Sequence, residues 1–70
     1  MPDDLPYRFG ERVRYLRKRR KLSQERLALE AGLDRSYMGG VERGERNVSL
    51  INIGKISRAL GVPLHVLFKL

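Results

Sequence analysis

The sequence predicts a small all-α domain of five helices. Apolar residues recur at helical spacing and nowhere alternate as they would in a strand. Residue types that cap helix starts, and glycines that end helices, punctuate the chain at short intervals. Seventy residues hold one domain and leave no room for a second. Residues 1–7 read as a lead-in with two prolines and two aspartates, and 8–70 as the domain.

The first helix is expected from Tyr7 or Arg8 to Arg20, because Phe9, Val13 and Leu16 recur at i, i+4 and i+7. The second follows Ser23, whose hydroxyl can accept a bond from an orphan backbone N–H. Leu27, Ala28 and Ala31 share its apolar face, and Gly32 ends it. Leu33 reads as a buried turn residue and Asp34 as the next N-cap. Met38 and Val41 form the apolar side of the third helix, which Gly44 closes. Gly39 and Gly40 are odd inside it, since each costs about 1 kcal/mol relative to alanine. They imply either a close backbone approach, to DNA or to a neighbouring helix, or a short and strained helix. GERNV, residues 44–48, is a polar loop. The fourth helix is expected from Ser49 as N-cap, with Leu50, Ile53, Ile56 and Leu60 as its apolar stripe and Gly61 as its stop. Pro63 suits the first position of a fifth helix, where its missing N–H costs nothing. Leu64, Leu67 and Phe68 then complete the core, leaving Val66 and Leu70 as surplus apolar residues.

Composition excludes several functions. There is no cysteine, so disulfides and thiolate metal sites are out, and a reducing cytoplasm is compatible. One histidine, His65, makes no metal site alone, and no cofactor is expected. No apolar run reaches the ~18 residues of a membrane span, and MPDDLPYRFG lacks the apolar centre of a signal peptide. Capping explains most of the serines, His65 has no local carboxylate, and no nucleophile–base set is present, so an enzyme is not expected.

The charge of +7 points to a polyanion. Eight basic residues lie between Arg8 and Lys21, opposed only by Glu11. Two short helices crossed over a glycine-containing turn suit insertion into a DNA major groove. A helix start presents free N–H groups and partial positive charge, so Ser23 and Gln24 fit a phosphate. Arg35 has the planar fork that pairs with guanine O6 and N7, with Ser36 beside it on the first turn. Tyr37 offers a hydroxyl to phosphate or an aromatic face to a thymine methyl. Arg43, Arg46 and Asn47 follow the helix and suit phosphates.

With these residues in place, 8 to 68 resemble the lambda-repressor-like, Cro/C1-type helix-turn-helix proteins. The matching strings are LSQERLALEAGL, YMGGVERGER and SLINIGKISRALGVP. Within that family, LDRSYMGGVERGERNVSLINI is most similar to the controller proteins of restriction–modification systems. The resemblance implies a five-helix fold and a transcription regulator that binds a palindromic double-stranded DNA operator as a homodimer. It places Gln24 at a phosphate-clamping position and Asp34, Arg35, Ser36 and Gly40 at base-facing positions. It pairs Arg17 with Glu42 between the first and third helices.

Ile51, Val66 and Leu70 are the expected dimer contacts, because a core this small is marginal alone. Glu25 and Glu30 are the surface available to RNA polymerase. A cytoplasmic, nucleoid-associated protein is expected, with no membrane partner. The competing readings are a phage or plasmid repressor, an antitoxin, or a helix-turn-helix interaction module that reads no bases.

Overall fold

The computed structural model describes residues 4–70. Five helices follow one another: α1 Leu5–Arg19, α2 Gln24–Ala31, α3 Arg35–Glu42, α4 Leu50–Leu60 and α5 Leu64–Leu67. The described residues contain no strand.

Local chemistry sets most of the boundaries. The backbone N–H of Arg26 donates to Ser23 Oγ (2.9 Å), that of Ser36 to Asp34 Oδ2 (3.1 Å), and that of Asn52 to Ser49 Oγ (3.2 Å). Each bond satisfies a donor that the first helical turn leaves orphaned. Gly32 and Gly61 end α2 and α4 at φ +70°, in the left-handed region where glycine has no Cβ to clash. α1 starts at Leu5, earlier than the expected Tyr7 or Arg8. Pro6 falls at its first turn, where proline starts helices instead of breaking them. Part of the expected lead-in 1–7 is therefore helical, while residues 1–3 lie outside the described residues. Pro63 caps α5 from outside, and Leu64 is its first residue.

The core joins Phe9, Val13 and Leu16 of α1 with Leu27, Ala28 and Ala31 of α2, Met38 and Val41 of α3, Ile56 and Leu60 of α4, and Leu67 of α5. Leu33 is half-buried against it. The α4–α5 end departs from expectation. Leu50 is 80% exposed, Leu64 49% and Phe68 41%. α5 is a single turn, so it has one inward position, and Leu67 fills it. Leu50 lies one turn beyond the half-buried Ile53, past the edge of the core. Phe68 keeps one contact, a tilted stack on Phe9 at 5.3 Å. Val66, expected to be surplus, is half-buried against the core, and its carbonyl accepts from Arg12 Nε (3.1 Å). Leu70 and Ile51 are exposed.

Candidate nucleic-acid interface

The orientation of α3 is fixed from behind. Met38 and Val41 are buried, and the Arg17 guanidinium forks onto Glu42, with Nε to Oε2 at 2.7 Å and Nη2 to Oε1 at 3.0 Å. Both groups are shielded from water, and Arg17 Nη1 also donates to the Leu22 carbonyl (2.9 Å). The resemblance implied this pair, and the fold makes it. Gln24 Nε2 donates to the same carboxylate (3.1 Å), and Arg14 stands 3.8 Å away. One buried acid thus ties α1, α2 and α3 together. α1 reaches α3 this closely because of Gly10. A Cβ there would stand 2.3 Å from the Val41 carbonyl oxygen and 2.8 Å from that of Glu42.

The outward side of α3 starts with Asp34. Its carboxylate accepts from the backbone N–H groups of Ser36 and Tyr37 and from the Ser36 hydroxyl. The Ser36 hydroxyl, followed by the Tyr37 N–H, holds the Asp34 carboxyl below the usual carboxylate range. Asp34 and Ser36, both expected to face bases, therefore already bond each other, and both are exposed. Arg35, between them in sequence, is exposed and makes no hydrogen bond or ion pair to the other described residues. Its fork is free.

Tyr37 is held from two sides. Asn52 Nδ2 donates to its hydroxyl (3.2 Å), and the Arg46 guanidinium lies over its ring at 5.4 Å. Gly39 and Gly40 make room for side chains that fold back over α3. A Cβ at Gly39 would meet Arg43 Nη1 (3.0 Å) and Gln24 Oε1 (3.2 Å), and one at Gly40 would meet Arg46 Nε (3.0 Å). Gln24, Arg43 and Arg46 therefore border α3 along its length. Arg43 forks onto Glu45 at 3.0 and 3.2 Å. That bond holds the Glu45 carboxyl below its ordinary value and raises Arg43. An exposed pair of this kind is readily exchanged for a phosphate. Asn47 is exposed in the following loop. Ser23 spends one oxygen lone pair on its cap and remains exposed at the start of α2.

Three contributors were not found from the sequence: Asn52, Arg14 and Gly10. Gly10 carried a signal, a glycine inside a helical stripe. Asn52 and Arg14 carried none, since only the packing of α1 and α4 against α3 brings them in.

Other members of the basic block turn elsewhere. Arg12 and Arg20 donate to the carbonyls of Val66 and Ala59, both at 3.1 Å, on the opposite flank of α1. No group of three metal-ligating side chains occurs among the described residues, and no helix there is long and apolar enough to cross a membrane.

A helix-turn-helix family model matches residues 13–67. The control protein C.MunI of a Mycoplasma species is 48% identical over 67 residues, which cover 94% of this chain and 90% of that protein. The restriction–modification controller protein C.AhdI from Aeromonas hydrophila superimposes with a TM-score of 0.88 at 57% identity, over 90% of this chain and 96% of that one. The controller protein C.Esp1396I, solved as a tetramer with its natural 35 base-pair operator, superimposes with a TM-score of 0.89 at 29% identity, over 97% and 90% of the two chains. A capped α3 braced on a buried ion pair, a free arginine on its first turn and these matches together place the chain in the Cro/C1-type helix-turn-helix family of DNA-binding transcription regulators, among the restriction–modification controller proteins and not among enzymes.

Proposed function

We propose that the protein binds a two-fold symmetric operator as a homodimer and controls transcription of a restriction–modification gene set. The observation that carries this is the exposed first turn of α3, where the free fork of Arg35 is framed by phosphate-binding side chains. Arg35 reads guanine through O6 and N7. Ser36 and Tyr37 read neighbouring base edges. Asp34 acts mainly by holding the turn in shape, with its remaining lone pairs facing the groove. Ser23 and Gln24 at the start of α2, and Arg43, Arg46 and Asn47 beyond α3, grip the backbone on either side. Phosphate contacts of this kind set register, and base contacts set sequence.

The homodimer is supported by the exposed apolar residues Leu50, Ile51, Leu64 and Phe68 at the α4–α5 end. Ile51 remains an interface residue in this reading, whereas Val66 acts through the core and Leu70 edges the groove between α1 and α5. Two recognition helices then stand about one DNA turn apart, roughly 34 Å. The tetramer of C.Esp1396I on its operator supports binding by more than one copy of the chain. RNA polymerase contact falls to Glu25 and Glu30, both exposed on α2, with Glu30 first releasing its surface pair with Arg26. A protein acting this way works in the cytoplasm, on the nucleoid.

Selection of bound duplexes from a random pool tests the proposal. The expected outcome is an inverted repeat with guanine at a fixed place in each half-site. Enrichment of no common sequence would leave a DNA gripper without base reading and overturn it.

A further inference from the structure

The flank of α1 that faces away from α3 carries a second charged surface. Gly10, Arg14 and Arg17 point to α3. Arg8, Arg12 and Arg19 lie about half a helical turn around from them. There Arg12, Arg19, Arg20 and Lys69 rim a groove of about 770 Å³ whose floor includes Tyr15 and Val66.

These cations have no acidic partner. The salt bridges among the described residues use Arg14, Arg17, Arg26 and Arg43 as their cations, and none uses Arg12, Arg19, Arg20 or Lys69. The three arginines are nonetheless held in place. Arg12 and Arg20 are tied to neutral main-chain carbonyls, which fix the guanidiniums without cancelling their charge. Arg12 and Arg19 lie over the same Tyr15 ring, at 5.4 and 5.8 Å, and Arg19 Nη1 donates to the Tyr15 hydroxyl (3.1 Å). Ordering long cationic side chains before a partner arrives removes much of the entropic cost of binding it.

We infer that this α1–α5 groove docks an acidic polypeptide segment that also carries apolar side chains. Unpaired guanidiniums select carboxylates, which they bind as a planar fork. The Tyr15 and Val66 floor selects against nucleic acid, whose backbone brings no apolar group to cover it. The groove lies on the flank of α1 opposite the proposed operator-reading helix, so the segment binds while the protein sits on DNA. The inference does not depend on which bases α3 reads.

The test is fluorescence anisotropy with a short labelled peptide in which glutamates alternate with leucines. A second peptide carries serines in place of the leucines. The leucine peptide is expected to bind the free protein and the protein–operator complex alike, and the serine peptide more weakly. Arg19→Gln combined with Lys69→Gln changes two exposed side chains that support no other helix and leaves the chain strongly basic. It should weaken the leucine peptide by about tenfold or more through lost electrostatic complementarity. Operator affinity, melting temperature and sedimentation should stay as in the parent. Arg12→Gln provides a second variant with the same expected direction. Several results would overturn the inference: no binding to the parent protein, displacement by operator, equal binding of the two peptides, or unchanged affinity in both variants. A shift in sedimentation would show instead that the groove is an interface between copies of this chain. Loss of operator binding would make it a DNA surface.

Discussion

α3 and α5 both pack against α1, yet they leave opposite kinds of residue in the open. α3 buries Met38 and Val41 and exposes Arg35 and Ser36. α5 buries Leu67 and exposes Leu64, and Phe68 is exposed just beyond it. α3 is complete within one chain, because each apolar side chain it carries is covered and Glu42 is saturated with donors. α5 is incomplete, because apolar surface at that end still faces water. The difference teaches which surface waits for which partner. A finished helix with a free cation on its first turn is ready for a polar ligand. An unfinished apolar end is where the proposed homodimer closes.

The comparison breaks most violently at the brace behind α3. Arg17→Ala strands the buried Glu42 charge, a change worth about 3–5 kcal/mol. A domain of this size holds only about that much stability in total. Urea titration should therefore find the variant largely unfolded without DNA. Gly10→Ala should act in the same direction, because the new Cβ meets backbone and not a flexible side chain.

Next in size is the α5 side. Ile51→Asp with Leu64→Asp alters residues that are 72% and 49% exposed, so the fold should survive. Each buried apolar side chain contributes about 1.5–3 kcal/mol to an interface, and a two-fold contact counts each one twice. Sedimentation at about tens of micromolar should show monomer where the parent shows the proposed dimer, with an unchanged circular dichroism spectrum. A dimer that survives would move the interface elsewhere.

A smaller effect is expected along the rim of α3. Arg46→Ala removes a phosphate grip and frees one face of Tyr37. Affinity should fall nearly alike on operator and scrambled duplexes, and the slope of log K against log salt should flatten by about one unit per lost contact. The smallest effect is at Asp34. Its carboxyl is held below the usual range, so it stabilises the fold above that range and loses this contribution as pH falls through the depressed value. Asp34→Asn keeps a capping oxygen but not the charge. It should flatten the acid limb of the melting temperature by lowering it slightly at neutral pH, where the charged cap is present.

What the sequence could and could not say follows from the range of each interaction. Ser23, Asp34, Ser49, Gly32 and Gly61 were legible as caps and stops because they act within one turn of themselves. The apolar faces of α1, α2 and α3 were legible because helical spacing puts them on one side. The pattern assigns Leu50 to an inward stripe and Leu64 and Phe68 to the core because apolarity states that a residue seeks cover, not whether the same chain supplies it. It leaves Pro6 in a lead-in because proline at a helix start and proline in a loop look alike in sequence. The Arg17–Glu42 pair was legible only through resemblance, being 25 residues apart. The hold of Asn52 on Tyr37 and the turning of Arg12 and Arg20 away from α3 depend on how whole helices pack, which no local pattern encodes.

The proposed division of labour has α3 reading bases through Arg35 while its neighbours grip. Binding isotherms of the parent and Arg35→Ala on the selected operator and on a scrambled duplex separate the two roles. A loss of about 1–3 kcal/mol per half-site is expected on the operator and much less on the scrambled duplex. An equal loss on both would make Arg35 a phosphate clamp and contradict that division.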